Sequence, residues 1–182
     1  MKRALVIIDI QQDYFAGGAN PLVGPEPAAE AAAKLLVHFR TRDERVIHIQ
    51  HVWDAPDATF MRPGTPGREI HPLVAPLPGE AVVQKEAPNA FLGTGLEQQL
   101  REAGLNDLVV VGMMSSMCVD ATVRAAADLG FSVTVAHDAC AAPDLEFEGT
   151  ELPGGLVHAA FMAALVEGYA QVLSSRELIE RD

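Results

Sequence analysis

The chain has 182 residues, 49% hydrophobic and 21% charged, a balance that suits one domain with a sizeable core and excludes a disordered chain. With 13 Lys and Arg against 25 Asp and Glu the formal net charge is -12, which argues against nucleic acid or an anionic membrane surface as partner. Cysteines at 118 and 140 match neither a zinc spacing nor a disulfide framework, so both are expected as reduced thiols in a cytoplasmic protein.

Short apolar runs alternate with helical patterns from one end to the other. Ala4 to Ile8 reads as the first strand, too short for a signal peptide or membrane span. A helix near Pro27 to Arg40 and a strand from Arg45 to His51 follow. Asp54 to Pro72, with Pro56, Pro63, Pro66 and Pro72, predicts a long loop of the kind that lids a site. Ala81 to Gln84 predicts a strand and Thr94 to Ala103 a helix. Leu108 to Val111 predicts a buried strand, followed by a turn and a helix in which Val119, Thr122, Val123 and Ala126 share a face. Then come a strand over Phe131 to Ala136, a helix near Gly155 to Glu167, a strand over Ala170 to Leu173 and a terminal helix. Ser174 and Glu177 form a capping box for that last helix. The alternation predicts a single α/β domain over residues 1–182, a three-layer sandwich with a doubly wound, mostly parallel six-stranded sheet and helices on both faces. Ligands of such sheets bind at the carboxyl ends of the strands.

Chemically complementary groups stand at three of those ends: Asp9 after Ile8, Lys85 after Gln84, and Cys118 in the turn after Val111. Cys118 at a helix start meets unpaired backbone N–H groups, which predicts a lowered thiol pKa and a larger thiolate fraction.

The order Asp9-Ile10-Gln11-Gln12-Asp13-Tyr14-Phe15, Lys85 with Phe91-Leu92-Gly93-Thr94-Gly95-Leu96, Val111-Gly112 through Cys118-Val119-Asp120-Ala121-Thr122, and Asp138-Ala139 resembles the isochorismatase-like cysteine hydrolases. That group includes nicotinamidases, N-carbamoylsarcosine amidases and isochorismatases. The resemblance implies an Asp9–Lys85–Cys118 triad, a Cys118 thioester, an oxyanion hole from the backbone N–H groups of Met114 and Cys118, and a cis peptide between Met113 and Met114. It also implies a homo-oligomer, dimer or higher.

Met113, Met114 and Met117 around the nucleophile suggest an apolar portion in the substrate. Phe15, His51, Trp53, Phe60, Phe91 and Met117 are the expected substrate contacts. His71 is expected on substrate or loop backbone, His38, His137 and His158 in structural roles, His48 in the core, and Cys140 as structural. The Asp-x-His metal motif of the nicotinamidase branch is absent at Gln50-His51-Val52-Trp53-Asp54, so no metal and no cofactor is expected. The leading reading is a metal-independent hydrolase of a small, uncharged or cationic amide. Alternatives are vinyl-ether hydrolysis of the isochorismatase type, for which only Arg62 and Arg68 offer cations, and a non-catalytic oligomeric relative. A nucleotide-binding module fails for want of the phosphate-loop glycines in Gly112 to Cys118.

Overall fold

A computed structural model describes residues 2–181. The elements are β1 (Arg3–Ile8), α1 (Pro25–Thr41), β2 (Arg45–His51), β3 (Ala81–Lys85), α2 (Leu96–Glu102), β4 (Asp107–Met113), α3 (Asp120–Asp128), β5 (Ser132–Ala141), β6 (Leu145–Phe147), β7 (Thr150–Leu152), α4 (Gly154–Val166), β8 (Gln171–Leu173) and α5 (Ser175–Glu180). Six strands form one sheet in the order β3-β2-β1-β4-β5-β8, every pair parallel.

Alternate residues of the central strands feed two separate cores. Leu5 and Ile7 pack with Val109, Val111 and the buried stripe of α1, joined by Leu178 of α5. Ala4, Val6 and Ile8 pack with Val110, Leu96 and Leu100 of α2, Val123 of α3 and Leu165 of α4. Burial on both faces explains why β1 and β4 read as unbroken apolar runs. The strand order reverses direction between β1 and β4, so Asp9 and the turn after β4 flank the switch point. The two strands come close there: a Cβ on Gly112, at φ 137°, would overlap the Ile8 carbonyl.

Some boundaries differ from expectation. α1 begins at Pro25, after Gly24 in a left-handed conformation. β5 runs on through His137 and Asp138 to Ala141, passing a bulge opposite Val110 to Gly112. The β6–β7 hairpin was not anticipated; Glu148 and Gly149, both at positive φ, give it the two-residue turn that matches strand twist. Cys118 lies not at an α-helix start but in a π turn, Ser115–Val119, that precedes α3. The capping box of α5 is present as expected.

Candidate active site

Strand ends of β1 and β3 and the turn after β4 carry the candidate catalytic residues. Asp9 follows β1 at φ 49°, and its N–H donates to the Ile49 carbonyl at 3.1 Å. Left-handed backbone outside glycine is strained, and such residues concentrate at functional sites. Lys85 is the last residue of β3. After β4 the Met113–Met114 peptide is cis, and the π turn then carries Cys118.

The three side chains converge, with the ammonium in the middle. Lys85 Nζ lies 2.7 Å from Asp9 Oδ2 and 3.2 Å from Cys118 Sγ. Its third contact is His51 Nδ1, at 2.6 Å. An ammonium has three hydrogens and no lone pair, so Nδ1 must accept and the imidazole hydrogen sits on Nε2. His51 is held neutral, its pKa pushed down to about 4 by burial and then by the Lys85 charge. Asp9, Lys85 and Cys118 are all buried.

That burial corrects the expectation of an acidic thiol. Desolvation, followed by the Asp9 carboxylate, pushes the Cys118 thiol up, and Lys85 only partly opposes it. Desolvation also raises Asp9 above the usual carboxylate value against the pull of Lys85, which makes it a better proton acceptor than an exposed carboxylate. Cys140, pushed up to about 12 by burial, lies in the core beneath α4 and carries no part of this cluster.

Ligand atoms of Asp9, His51 and Cys118 lie within 4.8 Å of one another, the one such His/Cys/Asp/Glu group among the described residues. The Lys85 ammonium already occupies the space they share. A divalent ion would have to displace that charge, so the residues present do not fit a resident metal.

Above the sulfur is a cavity of about 180 Å³ lined by Tyr14, His51, Trp53, Phe60, Glu86, Pro88, Met114, Met117 and Cys118. Four of the expected contacts are there: His51, Trp53, Phe60 and Met117. Phe15 and Phe91 are not. Phe15 is buried and stacks on His71 at 4.0 Å, and Phe91 stacks on Phe131 at 5.8 Å against the α3 face of the sheet. In each case the neighbouring turn aims a different side chain at the cavity. Tyr14, from the 3₁₀ turn Gln12–Tyr14, replaces Phe15, and Glu86 and Pro88 replace Phe91. These were missed, although each lies within three residues of a motif position. Arg62 borders a separate groove and the Arg68 guanidinium faces Glu69 at 4.0 Å, so neither brings a cation to the cavity.

The long loop is a fixed wall rather than an open flap. Asp13 accepts from the Ala19 N–H at 3.0 Å and the Met61 N–H at 2.5 Å, tying two loops to one carboxylate. Gly67 lies so close that a Cβ there would overlap that carboxylate. The Gln11 side chain donates to the carbonyls of His51 and Arg68, at 2.9 and 2.7 Å, and Gln50 donates to Arg68 as well, at 3.0 Å. His71 serves the same loop: its Nδ1 accepts from the Leu73 N–H at 3.3 Å. His48 is buried as expected and bonds Glu80 at 2.9 Å, while His158 meets the Ser115 hydroxyl at 2.8 Å behind the π turn.

Comparisons with known proteins give the chain's family and fold. The family model described as Isochorismatase domain matches residues 3–175. The isochorismatase family protein YddQ of Bacillus subtilis is 47% identical over 180 residues, 99% of this chain and 100% of that one. A streptothricin hydrolase of Streptomyces noursei is 38% identical over 143 residues, 79% of this chain but 51% of its own length. A crystal structure from Oleispira antarctica named as an isochorismatase hydrolase superposes with a TM-score of 0.95 at 50% identity, over 98% of this chain and 96% of that one. A match that begins in β1, ends at the start of α5 and so takes in all three strand ends places the chain in the isochorismatase family.

Proposed function

We propose that the protein hydrolyses a carbon–nitrogen bond of a small amide through a thioester on Cys118, without a metal. The observation that carries this is the Lys85 ammonium held 2.7 Å from a buried carboxylate and 3.2 Å from a buried thiol at the floor of a small cavity. Asp9 accepts the thiol proton as sulfur attacks the carbonyl carbon, and Lys85 stabilises the charge that moves between them. The N–H groups of Met114 and Cys118, on the turn that borders the cavity, receive the oxyanion. The proton on Asp9 passes to the departing nitrogen, the C–N bond breaks, and amine or ammonia leaves. Water then loses a proton to Asp9, attacks the thioester and releases the acid, and the proton returns to sulfur.

A homo-oligomer, most simply a dimer, is part of the same reading. α4 has no charged residue, and its outer side exposes Leu156 and Val166, at 59% and 57%, with Ala159, Ala160, Ala163 and Ala164 between them.

The test is ammonia release from a panel of small primary amides, with mass spectrometry of Cys118. Turnover that disappears in Cys118→Ala, with an acyl adduct on Cys118 in the parent, is the expected result. Turnover that survives in Cys118→Ala but still needs Asp9 would overturn it in favour of vinyl-ether chemistry.

A further inference from the structure

The cavity above Cys118 is apolar and aromatic except at one place. Among its lining residues Glu86 alone carries a formal charge, since His51 is neutral. Glu86 is exposed and, among the described residues, makes no hydrogen bond or ion pair. The nearest cation in sequence, Lys85, is turned inward, ion-paired with Asp9 and hydrogen-bonded to Cys118 and His51. An unpaired carboxylate that shares the cavity lining with Tyr14, Trp53 and Phe60 is complementary to a cation on two counts. The carboxylate attracts it directly, and ring faces attract it through their quadrupoles. The net charge of -12 adds a field of the same sign.

From this we infer that the site selects a small amide bearing an ammonium or guanidinium group, and that Glu86 is the residue that selects it. The inference rests on the amide-hydrolase reading above and adds the charge of the substrate. An anionic amide meets repulsion from Glu86 and finds no free cation in the lining. A cavity of about 180 Å³ admits one small group in addition to the scissile amide.

Three amides of matched length test it: 3-aminopropanamide, butanamide and succinamate, which place an ammonium, a methyl or a carboxylate at the same end. The expected kcat/KM for the ammonium compound exceeds that for butanamide about tenfold, with succinamate lowest. In Glu86→Gln the ammonium-to-methyl ratio collapses toward one, and in Glu86→Lys the order shifts toward succinamate. An unchanged ratio in Glu86→Gln, or a parent enzyme that prefers butanamide or succinamate, overturns the inference. If none of the three is hydrolysed, that failure counts against the choice of amide chemistry, and the charge preference is read separately. Propylammonium should then slow alkylation of Cys118 in the parent and protect Glu86→Gln about tenfold less well. Equal protection in both proteins, or none in either, overturns it.

Discussion

The Lys85 ammonium is ion-paired with Asp9 and hydrogen-bonded to Cys118 and His51, and this sets what each substitution should do. Asp9→Asn removes the proposed proton acceptor and leaves the ammonium without its counter-charge, whereas Lys85→Ala leaves a carboxylate facing the thiolate that the proposed attack requires. Each should lower turnover by about 10²–10⁴-fold, and the double variant should lose little more than the worse single one. Near-additive losses in steady-state kinetics would mean that the two do not act as a unit. Asp9 must be ionised to accept a proton, and its pKa lies above the usual carboxylate value because it is buried. Activity should therefore be lost as pH falls through that raised value, and the acid limb of kcat/KM should sit above the ordinary Asp range. Burial pushes the Cys118 thiol up, so it should behave in the opposite sense to a surface-activated cysteine. With its pKa raised, iodoacetamide should label it slowly near neutral pH, at a rate that climbs with pH and shows no plateau below the ordinary thiol value. An early plateau in the rate of labelling would show an acidic thiol instead.

At the scale of elements, the loop that walls the cavity hangs on Asp13. Replacing Asp13 by Ala strands the N–H groups of Ala19 and Met61, each costing about 1–3 kcal/mol if it stays buried. Chemical denaturation should show that loss, and KM should rise more than kcat falls, because Phe60 lies on the released loop and the triad does not. Strand ends were the legible part of this site. Apolar runs bounded by Asp9, Lys85 and the Gly112 turn show which end of the sheet each residue occupies, and parallel strands bring those ends to one edge. Side-chain direction inside tight turns was not legible. Around the 3₁₀ turn of residues 12–14 one position separates Tyr14, on the cavity, from Phe15, on His71. The thiol pKa failed for a related reason: the helix-start rule is local, whereas burial and the Asp9 charge come from β1, more than a hundred residues earlier. The β6–β7 hairpin had a readable signal in Glu148-Gly149 between alternating apolar and acidic residues. Its shortness hid it, and so did the continuation of β5 past the polar His137-Asp138 pair.

For the whole molecule, α4 offers an apolar face to the second copy proposed above. No described helix is long and apolar enough to cross a membrane, so the uncharged outer side of α4 needs another explanation. Small residues at 159, 160, 163 and 164 allow a second helix to approach closely, and Leu156 and Val166 flank them. Light scattering at micromolar concentration should give a dimer or a higher oligomer, and Ala160→Glu should reduce it to a monomer. A parent protein that is already monomeric would reject that assignment. α4 also reaches the π turn that holds Cys118, through the hydrogen bond of its half-buried His158 with Ser115.

The buried ion pair of Lys85 with Asp9 governs how the site meets electrophiles. A primary amine next to a substrate cavity would ordinarily condense with an aldehyde to give an imine. Here the ammonium nitrogen has no lone pair to offer while it is ion-paired with Asp9 and donates to Cys118 and His51, and freeing one would leave a buried carboxylate without its counter-charge. A small aldehyde should therefore be captured by sulfur alone as a thiohemiacetal. Reduction with borohydride should then fix no label on Lys85.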